Sequence, residues 1–255
     1  MGVADLHIHS AYSHDSTITV RAVLKQAKEI GLNVIAVTDH DEIRGSLEAH
    51  DLASTYGLES IVGAEVSTKD GHLVALFIDT LPPAGLSIVE TLVHIGKQGG
   101  IAIAPHPFNN LPYSLSMESV VGTLTNPRAK AVLRGIETHN MSTQAFDSIA
   151  QKLSIYLPFA KTASSDAHVY WSIGTGRTEF PGVTAQDLRN ALENNTTVPI
   201  PYEGNFSAKD ALNWVRRMTL RKFGFASDSA SATQPVHTQK MSQSFIGKIK
   251  SVKKK

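Results

Sequence analysis

The chain has no cysteine. Disulfides and thiolate metal sites are both excluded, so any bound metal must take nitrogen and oxygen ligands. An excess of one charge is also missing: 24 lysines and arginines face 23 aspartates and glutamates, a formal net charge of +1. A dedicated nucleic-acid scaffold carries a large positive excess, and that class is set aside. No apolar run reaches the roughly 18 residues that a spanning helix needs, so no membrane partner is expected. The N-terminus enters a strand without a basic and then apolar leader, and a cytoplasmic protein is expected. Neither of the phosphate-loop patterns GxGxxG and GxxxxGKS/T occurs, which weakens a nucleotide-binding fold. What is present is 255 residues, 42% of them hydrophobic, enough core for one large domain. That domain is drawn at residues 1–224. Residues 225–255 are Ser-rich and end in lysines, and are read as a disordered tail.

Apolar periodicity alternates between strand and helix. Val3 to His9 reads as a buried strand. Thr19 can cap a helix in which Val20, Val23, Leu24, Ala27 and Ile30 share a face and which Gly31 ends. Asn33 to Thr38 is apolar throughout, as a parallel strand covered on both faces tends to be. Gly45–Tyr56, Ser87–Gln98, Met117–Leu124, Gln144–Leu153, Ala185–Asn194 and Ala208–Phe223 read as helices. Ser60–Val62, His72–Ile78, Ile101–Ala104, Val132–Glu137 and Ala160–Ser164 read as strands. The rhythm implies parallel strands with right-handed crossovers. About seven such units favour a closed, TIM-barrel-like α/β fold over an open doubly wound sheet.

Ligand-grade side chains gather at the ends of these strands. His7 and His9 are two apart, so a strand presents both on one face, within reach of a single ion. That pair alone could be two core histidines. His40, His106 and His168 at further strand ends make the ligand reading the better one, because loops after barrel strands build the active site. Asp15, Glu65 and Asp166 supply the negative charge that a cluster of neutral imidazoles lacks. A carboxylate can bridge two metals about 3.5–4 Å apart. Glu65 is the most telling, since it follows the apolar Ile61-Val62-Gly63-Ala64.

Taken in order, Asp5-Leu6-His7-Ile8-His9 with Asp15, Thr38-Asp39-His40, Gly63-Ala64-Glu65-Val66-Ser67, Gly71-His72-Leu73, Ala104-Pro105-His106-Pro107, Gly135-Ile136-Glu137 and Ser165-Asp166-Ala167-His168 resemble the PHP (polymerase and histidinol phosphatase) family, in its stand-alone metal-dependent phosphoesterase type. The resemblance runs from about residue 3 to residue 180. It implies a distorted (β/α)7 barrel with up to three divalent metals. Carried over by position, it implies that His7, His9, Glu65 and Asp166 hold one ion. Asp15, His40 and His168 hold a second, and Glu65, His72 and His106 a third, with Glu65 bridging. Manganese, iron, zinc and magnesium all suit these donors, manganese being favoured.

The chemistry expected of such a site is phosphate ester hydrolysis. Two close cations lower the pKa of a shared water toward neutrality, and Glu65 and Asp166 are the catalytic carboxylates. Arg177, in Gly174-Thr175-Gly176-Arg177, is the first candidate for a cation facing the phosphoryl oxygens, and Arg44 the second. A surface salt bridge is the plain alternative for both arginines. His139 is a candidate substrate contact. Asp39 and Asp41 are candidates to orient His40. The expected substrate is a small phosphorylated metabolite, a nucleotide or a short oligonucleotide end. The basic tail leaves open a weak nucleic-acid contact. Two other classes compete. A metal-dependent amidohydrolase shares the HxH start, yet no lysine stands out where that family places one. A non-catalytic binding module would have lost ligands, and every expected position is filled.

Overall fold

A computed structural model describes residues 1–201 together with Leu212, Val215, Arg216, Thr219 and Leu220, which are helical. Those five fall within the helix expected over 208–223. The rest of that helix and the tail assigned to 225–255 lie outside the described residues.

The described strands are β1 (Gly2–Ile8), β2 (Val34–Val37), β3 (Glu59–Ser67), β4 (His72–Leu76), β5 (Ile101–Ala104), β6 (Leu133–Asn140), β7 (Ala160–Ser164), β8 (Arg177–Phe180) and β9 (Val198–Ile200). The helices are α1 (Val20–Glu29), α2 (Arg44–Ala53), α3 (Ile88–Lys97), α4 (Met117–Thr123), α5 (Pro127–Lys130), α6 (Asp147–Ser154) and α7 (Ala185–Glu193). Thr19 caps α1 as expected, its side chain accepting from the Ala22 N–H, and Gly31 follows the helix at φ 78°.

One sheet joins all nine strands in the order β7-β6-β5-β4-β3-β2-β1-β8-β9. It curls into a nearly closed barrel. Ile8 pairs with Ala167, just past β7. The Thr178 hydroxyl of β8 donates to Ala163 O of β7 and accepts from Ala163 N, at 2.9 and 3.0 Å. The expectation of uniformly parallel strands is corrected in two places: β4 runs antiparallel to both β3 and β5, and β8 to both β1 and β9. The β3–β4 connection is a short hairpin, which leaves no room for a crossover helix.

Strand alternation divides the core. In β2, Val34 and Ala36 face the barrel interior with Leu6, Ile61, Val74, Ile103 and Phe180. Ile35 and Val37 face outward onto α1 and α2. That two-sided burial explains why β2 reads as an unbroken apolar run. Leu188, Ala191 and Leu192 of α7 join the interior cluster. The Ala185 N–H donates to Glu59 Oε2 at the start of β3, and Arg189 donates to Gly99 O just before β5. α7 therefore plugs the end where the parallel strands begin, and the opposite end is left open for a site. Among the described residues no helix is long and apolar enough to cross a membrane.

Candidate metal centre

Asp5 accepts main-chain N–H groups from His7, Ser165 and Gly174, binding β1 to the segment between β7 and β8. The pairing of β1 with β2 slips between Asp5 and Ile8. Such an irregularity re-aims the side chains beyond it, and His7 and His9 meet at the open end with Nε2 atoms 3.1 Å apart. Asp166 Oδ1 lies 3.1 Å from His9 Nε2 and 3.5 Å from His7 Nε2.

Glu65 is the hub. Its Oε2 lies 3.1 Å from His7, 3.3 Å from His9 and 3.1 Å from His40; its Oε1 lies 2.9 Å from His72 and 3.1 Å from His106. Main-chain hydrogen bonds from Glu65 N to Asp39 O and from Asp41 N to Glu65 O clamp its backbone to the end of β2. The antiparallel hairpin explains His72. It opens β4 opposite Ser67, so a residue at the start of a strand lies at the same rim as residues at the ends of others. His106 and Asp166 sit at positive φ, 29° and 50°, where side-chain-bearing residues are uncommon.

The rim is built from loops. Asp15 Oδ2 lies 2.9 Å from His168 Nε2 and 3.2 Å from His40 Nε2. The His168 Nδ1–H donates to Asp166 O at 2.9 Å, leaving Nε2 to face Asp15. The loop carrying Asp15 is tied down from behind: Asp39 accepts from Ser10 N and Ser10 Oγ at 2.6 and 2.7 Å. Gly45 permits α2 to start against this brace, since a Cβ there would collide with Asp39 Oδ2 and Ser10 Oγ. Asp41 accepts from Ser67 N. Asp39 and Asp41 thus hold main chain, in place of the expected contact with the His40 ring.

Burial alone would keep these groups neutral, and their neighbours overrule it. Burial opposes charge on His7, but Asp166, Glu65 and Glu137 raise its pKa well above the ordinary value. Burial likewise opposes charge on His9, yet hydrogen bonds to Asp166 and Glu65 raise it to about 10. Burial pushes Glu65 and Asp166 up, but the surrounding imidazoles hold both below the usual carboxylate range. Hydrogen bonds from His168 and His40 likewise outweigh burial at Asp15. So much desolvated carboxylate calls for positive charge, and protons compete with cations for the same lone pairs.

The donor set suits divalent metals. Ligand atoms of His9, Asp15, His40 and His168 all lie within 4.8 Å of one another, as do those of His7, His9 and Asp166, of His7, Glu65 and His106, and of His40, Glu65 and His72. His72 and His106 both reach Glu65, but they fall in separate groups rather than together. At the cluster opens a cavity of about 970 Å³, whose lining also includes Tyr113, Met141, Ala145 and Val169.

Three predicted substrate contacts do not line this cavity. Arg177 opens β8 instead of riding a loop over the cluster, and its buried Nε has no hydrogen-bond partner among the described residues. Burial lowers its pKa, with Asp5 opposing. Arg44 is exposed, paired with Glu42 at 2.5 Å and set over the Tyr12 ring, the surface salt bridge its plain alternative describes. His139 lies within β6, bonded to Thr138 and Gln151, and lines a smaller hollow of about 280 Å³ beside Asp147. Sequence reasoning assigned no role to Glu137, Tyr113 or Asp5. Tyr113 packs its ring 5.7 Å from His72 and 5.4 Å from His106. Glu137 was visible as part of the matching Gly135-Ile136-Glu137 stretch and as the charged end of an apolar strand, with no role attached. His14 is exposed, and its ring lies 5.2 Å from His40.

The PHP domain matches residues 5–156. The chain belongs to the PHP family. A PHP-associated region follows at residues 148–197. Among similar proteins, an uncharacterized protein of Methanocaldococcus jannaschii is 43% identical over 116 residues, covering 42% of this chain and 68% of the relative. A 5′-3′ exoribonuclease of Haemophilus influenzae is 36% identical over 103 residues, covering 39% of this chain and 37% of the relative. A solved two-domain protein of Bacteroides vulgatus, which contains a predicted PHP-like metal-dependent phosphoesterase, superposes with a TM-score of 0.67 at 20% identity, covering 83% of this chain and 68% of that one. At that identity the likeness concerns the fold.

Proposed function

We propose that this PHP protein is a metal-dependent phosphoric ester hydrolase acting on small phosphorylated metabolites, nucleotides or short oligonucleotide ends. The observation that carries the reading is Glu65: one buried carboxylate faces His7, His9, His40, His72 and His106 at 2.9–3.3 Å, on the floor of an open cavity. His7, His9, Glu65 and Asp166 would hold one divalent cation, Asp15, His40 and His168 a second, and Glu65 with His72 and His106 a third. Manganese is favoured. When bound, such cations supply Lewis acidity toward a phosphoryl oxygen and acidify water.

The chain's own residues do the rest. Burial pushes Glu65 and Asp166 up, but the surrounding imidazoles hold both below the usual carboxylate range, so their oxygens are available to a cation that displaces the imidazole protons. His14, Tyr113, Ser142, Thr143 and Gln144 face the cavity and can donate to the substrate. The cavity exceeds what one phosphoryl group needs, leaving a leaving group to rest along Tyr113, Met141 and Val169. Similarity to an exoribonuclease over part of the chain supports including nucleic-acid ends among the substrates. A contact between those ends and the lysine-rich tail is part of the same proposal.

A screen of the manganese-loaded protein against nucleotides, 3′,5′-bisphosphates, histidinol phosphate and short oligonucleotides tests this. Phosphate release that a chelator abolishes is expected. No release with manganese, iron, zinc or magnesium would overturn it.

A further inference from the structure

We infer that Glu137 is a positioning residue for the centre, fixing the His7 ring and the main chain of His106 so that both present a lone pair toward Glu65. The inference rests on reading the cluster as a cation site, and extends it to a residue that touches neither cavity nor substrate.

Glu137 lies in β6 and is 1% exposed. A carboxylate so buried is costly unless donors surround it. The register of β6 against β7 shifts just here, between Glu137 and His139. Three N–H groups converge on the carboxylate. His7 Nδ1 lies 3.2 Å from Oε1, while the His106 main-chain N–H and Asn140 Nδ2 donate to Oε2 at 2.9 and 2.8 Å.

The chemistry of these partners leaves little choice. A main-chain amide and an Asn amino group only donate, so Oε2 must accept both. Oε1 then accepts from His7, which places the His7 proton on Nδ1. The lone pair of the neutral ring falls on Nε2, the atom 3.1 Å from Glu65 Oε2 and from His9 Nε2. A carboxylate behind a ligand imidazole fixes its tautomer and strengthens it as a donor. Among the other deep rings, His9 Nδ1 and His106 Nδ1 are buried without a hydrogen-bond partner among the described residues. His7 is singled out.

At His106 the same carboxylate does a second job. The residue sits at φ 29°, a backbone position that needs outside support. Glu137 takes its N–H, and Asn109 and Ser114 donate to its carbonyl at 3.2 and 2.8 Å. His7 and His106 come from β1 and the β5 loop, and one carboxylate sets both against Glu65.

Glutamine cannot replace it. If the amide oxygen faces His7, its NH₂ meets the His106 and Asn140 donors. If it turns round, NH₂ faces His7 Nδ1 and drives the ring proton onto Nε2, where it blocks ligation.

The test is zinc affinity by chelator competition, together with histidine ¹⁵N spectra of the zinc-loaded protein. Glu137→Gln should weaken the tightest-bound zinc by about 10- to 100-fold and abolish the His7 Nδ1–H signal, leaving the ion held by Asp15, His40 and His168 unaffected. Asn140→Ala removes one donor; it should weaken the same zinc by about threefold, and it carries the test should Glu137→Gln fail to fold. Unchanged zinc affinity with the His7 tautomer intact would overturn the inference. A wild-type protein that binds zinc but hydrolyses no phosphate ester would sink the proposed function alone. One that binds no zinc would sink both.

Discussion

On the floor of the cluster, the side chains of His7, His9, Glu65, His106 and Asp166 are 0–7% exposed, while at the rim those of Asp15, His40, His72 and His168 are 14–21% exposed. The floor residues are fixed by strands, by the β1 irregularity and by two strained backbone positions. The rim residues Asp15, His40 and His168 hang on loops, with Asp15 bridging the other two. Charges in the interior interact through a low dielectric, whereas rim charges are screened. On the proposed reading as a cation centre, the difference implies cations of unequal permanence, tighter on the floor and more exchangeable at the rim.

The sharpest way to break this contrast is at the hub. Glu65→Gln keeps the shape and removes the charge that both regions share. Turnover should fall by at least about 10², with the fold intact by circular dichroism, because the barrel core lies below the site. Turnover within a few-fold of wild type would show that floor and rim do not depend on one bridge.

A smaller effect is expected at the rim alone. Asp15→Asn should weaken metal activation by roughly 10-fold, and excess manganese should restore most of the turnover. A loss that manganese cannot rescue would place Asp15 with the floor.

The arginines come next. Arg44→Ala should leave kcat/KM unchanged within about twofold, as for other surface substitutions. Arg177→Ala should lower the melting temperature, through loss of the charge beside buried Asp5, more than it lowers kcat/KM, and Arg177→Lys, which keeps the charge, should lower it less. A large kcat/KM loss with metal content unchanged would return Arg177 to the phosphoryl group.

The smallest effect is a pH slope from outside the cluster. Burial, with Glu137 adding to it and the Asn140 N–H opposing, pushes the Asp147 carboxyl up to about 7 from 3.8. The folded state holds this proton more tightly than the unfolded chain does. Its contribution to stability is therefore full below about pH 4, declines as pH rises, and is lost above about pH 7. Asp147→Asn should flatten that part of the stability–pH curve in urea titrations. An identical slope would remove Asp147 as its source.

Much of this arrangement is legible in the residues. Parallel strands deliver their C-terminal ends to one rim, so His7, His9, His40, His106, Asp166 and His168 group together on strand patterns alone. Thr19 and Gly31 mark the ends of α1 by local chemistry. What is not legible depends on long-range pairing. His72 starts a strand, and only the antiparallel course of β4 carries it to the rim. Arg177 looks like a loop residue because Gly174 and Gly176 precede it, yet pairing of Ala4 with Thr178 draws the chain into β8 at Arg177. Glu137 stands in the matching Gly135-Ile136-Glu137 stretch, yet its local pattern is only a charged residue closing an apolar strand. Its importance lies in donors from residues 7, 106 and 140, which no local pattern joins.

The central claim is that these side chains form a centre for divalent cations that hydrolyses phosphate esters. Elemental analysis of protein purified without chelator, paired with phosphate release by the same sample and by Glu65→Gln, tests it most directly. The account predicts two to three divalent ions per chain in the wild type, from ligand groups of three or four residues. It also predicts phosphate release that Glu65→Gln loses. Less than one ion per chain, or equal turnover by the two proteins, would contradict it.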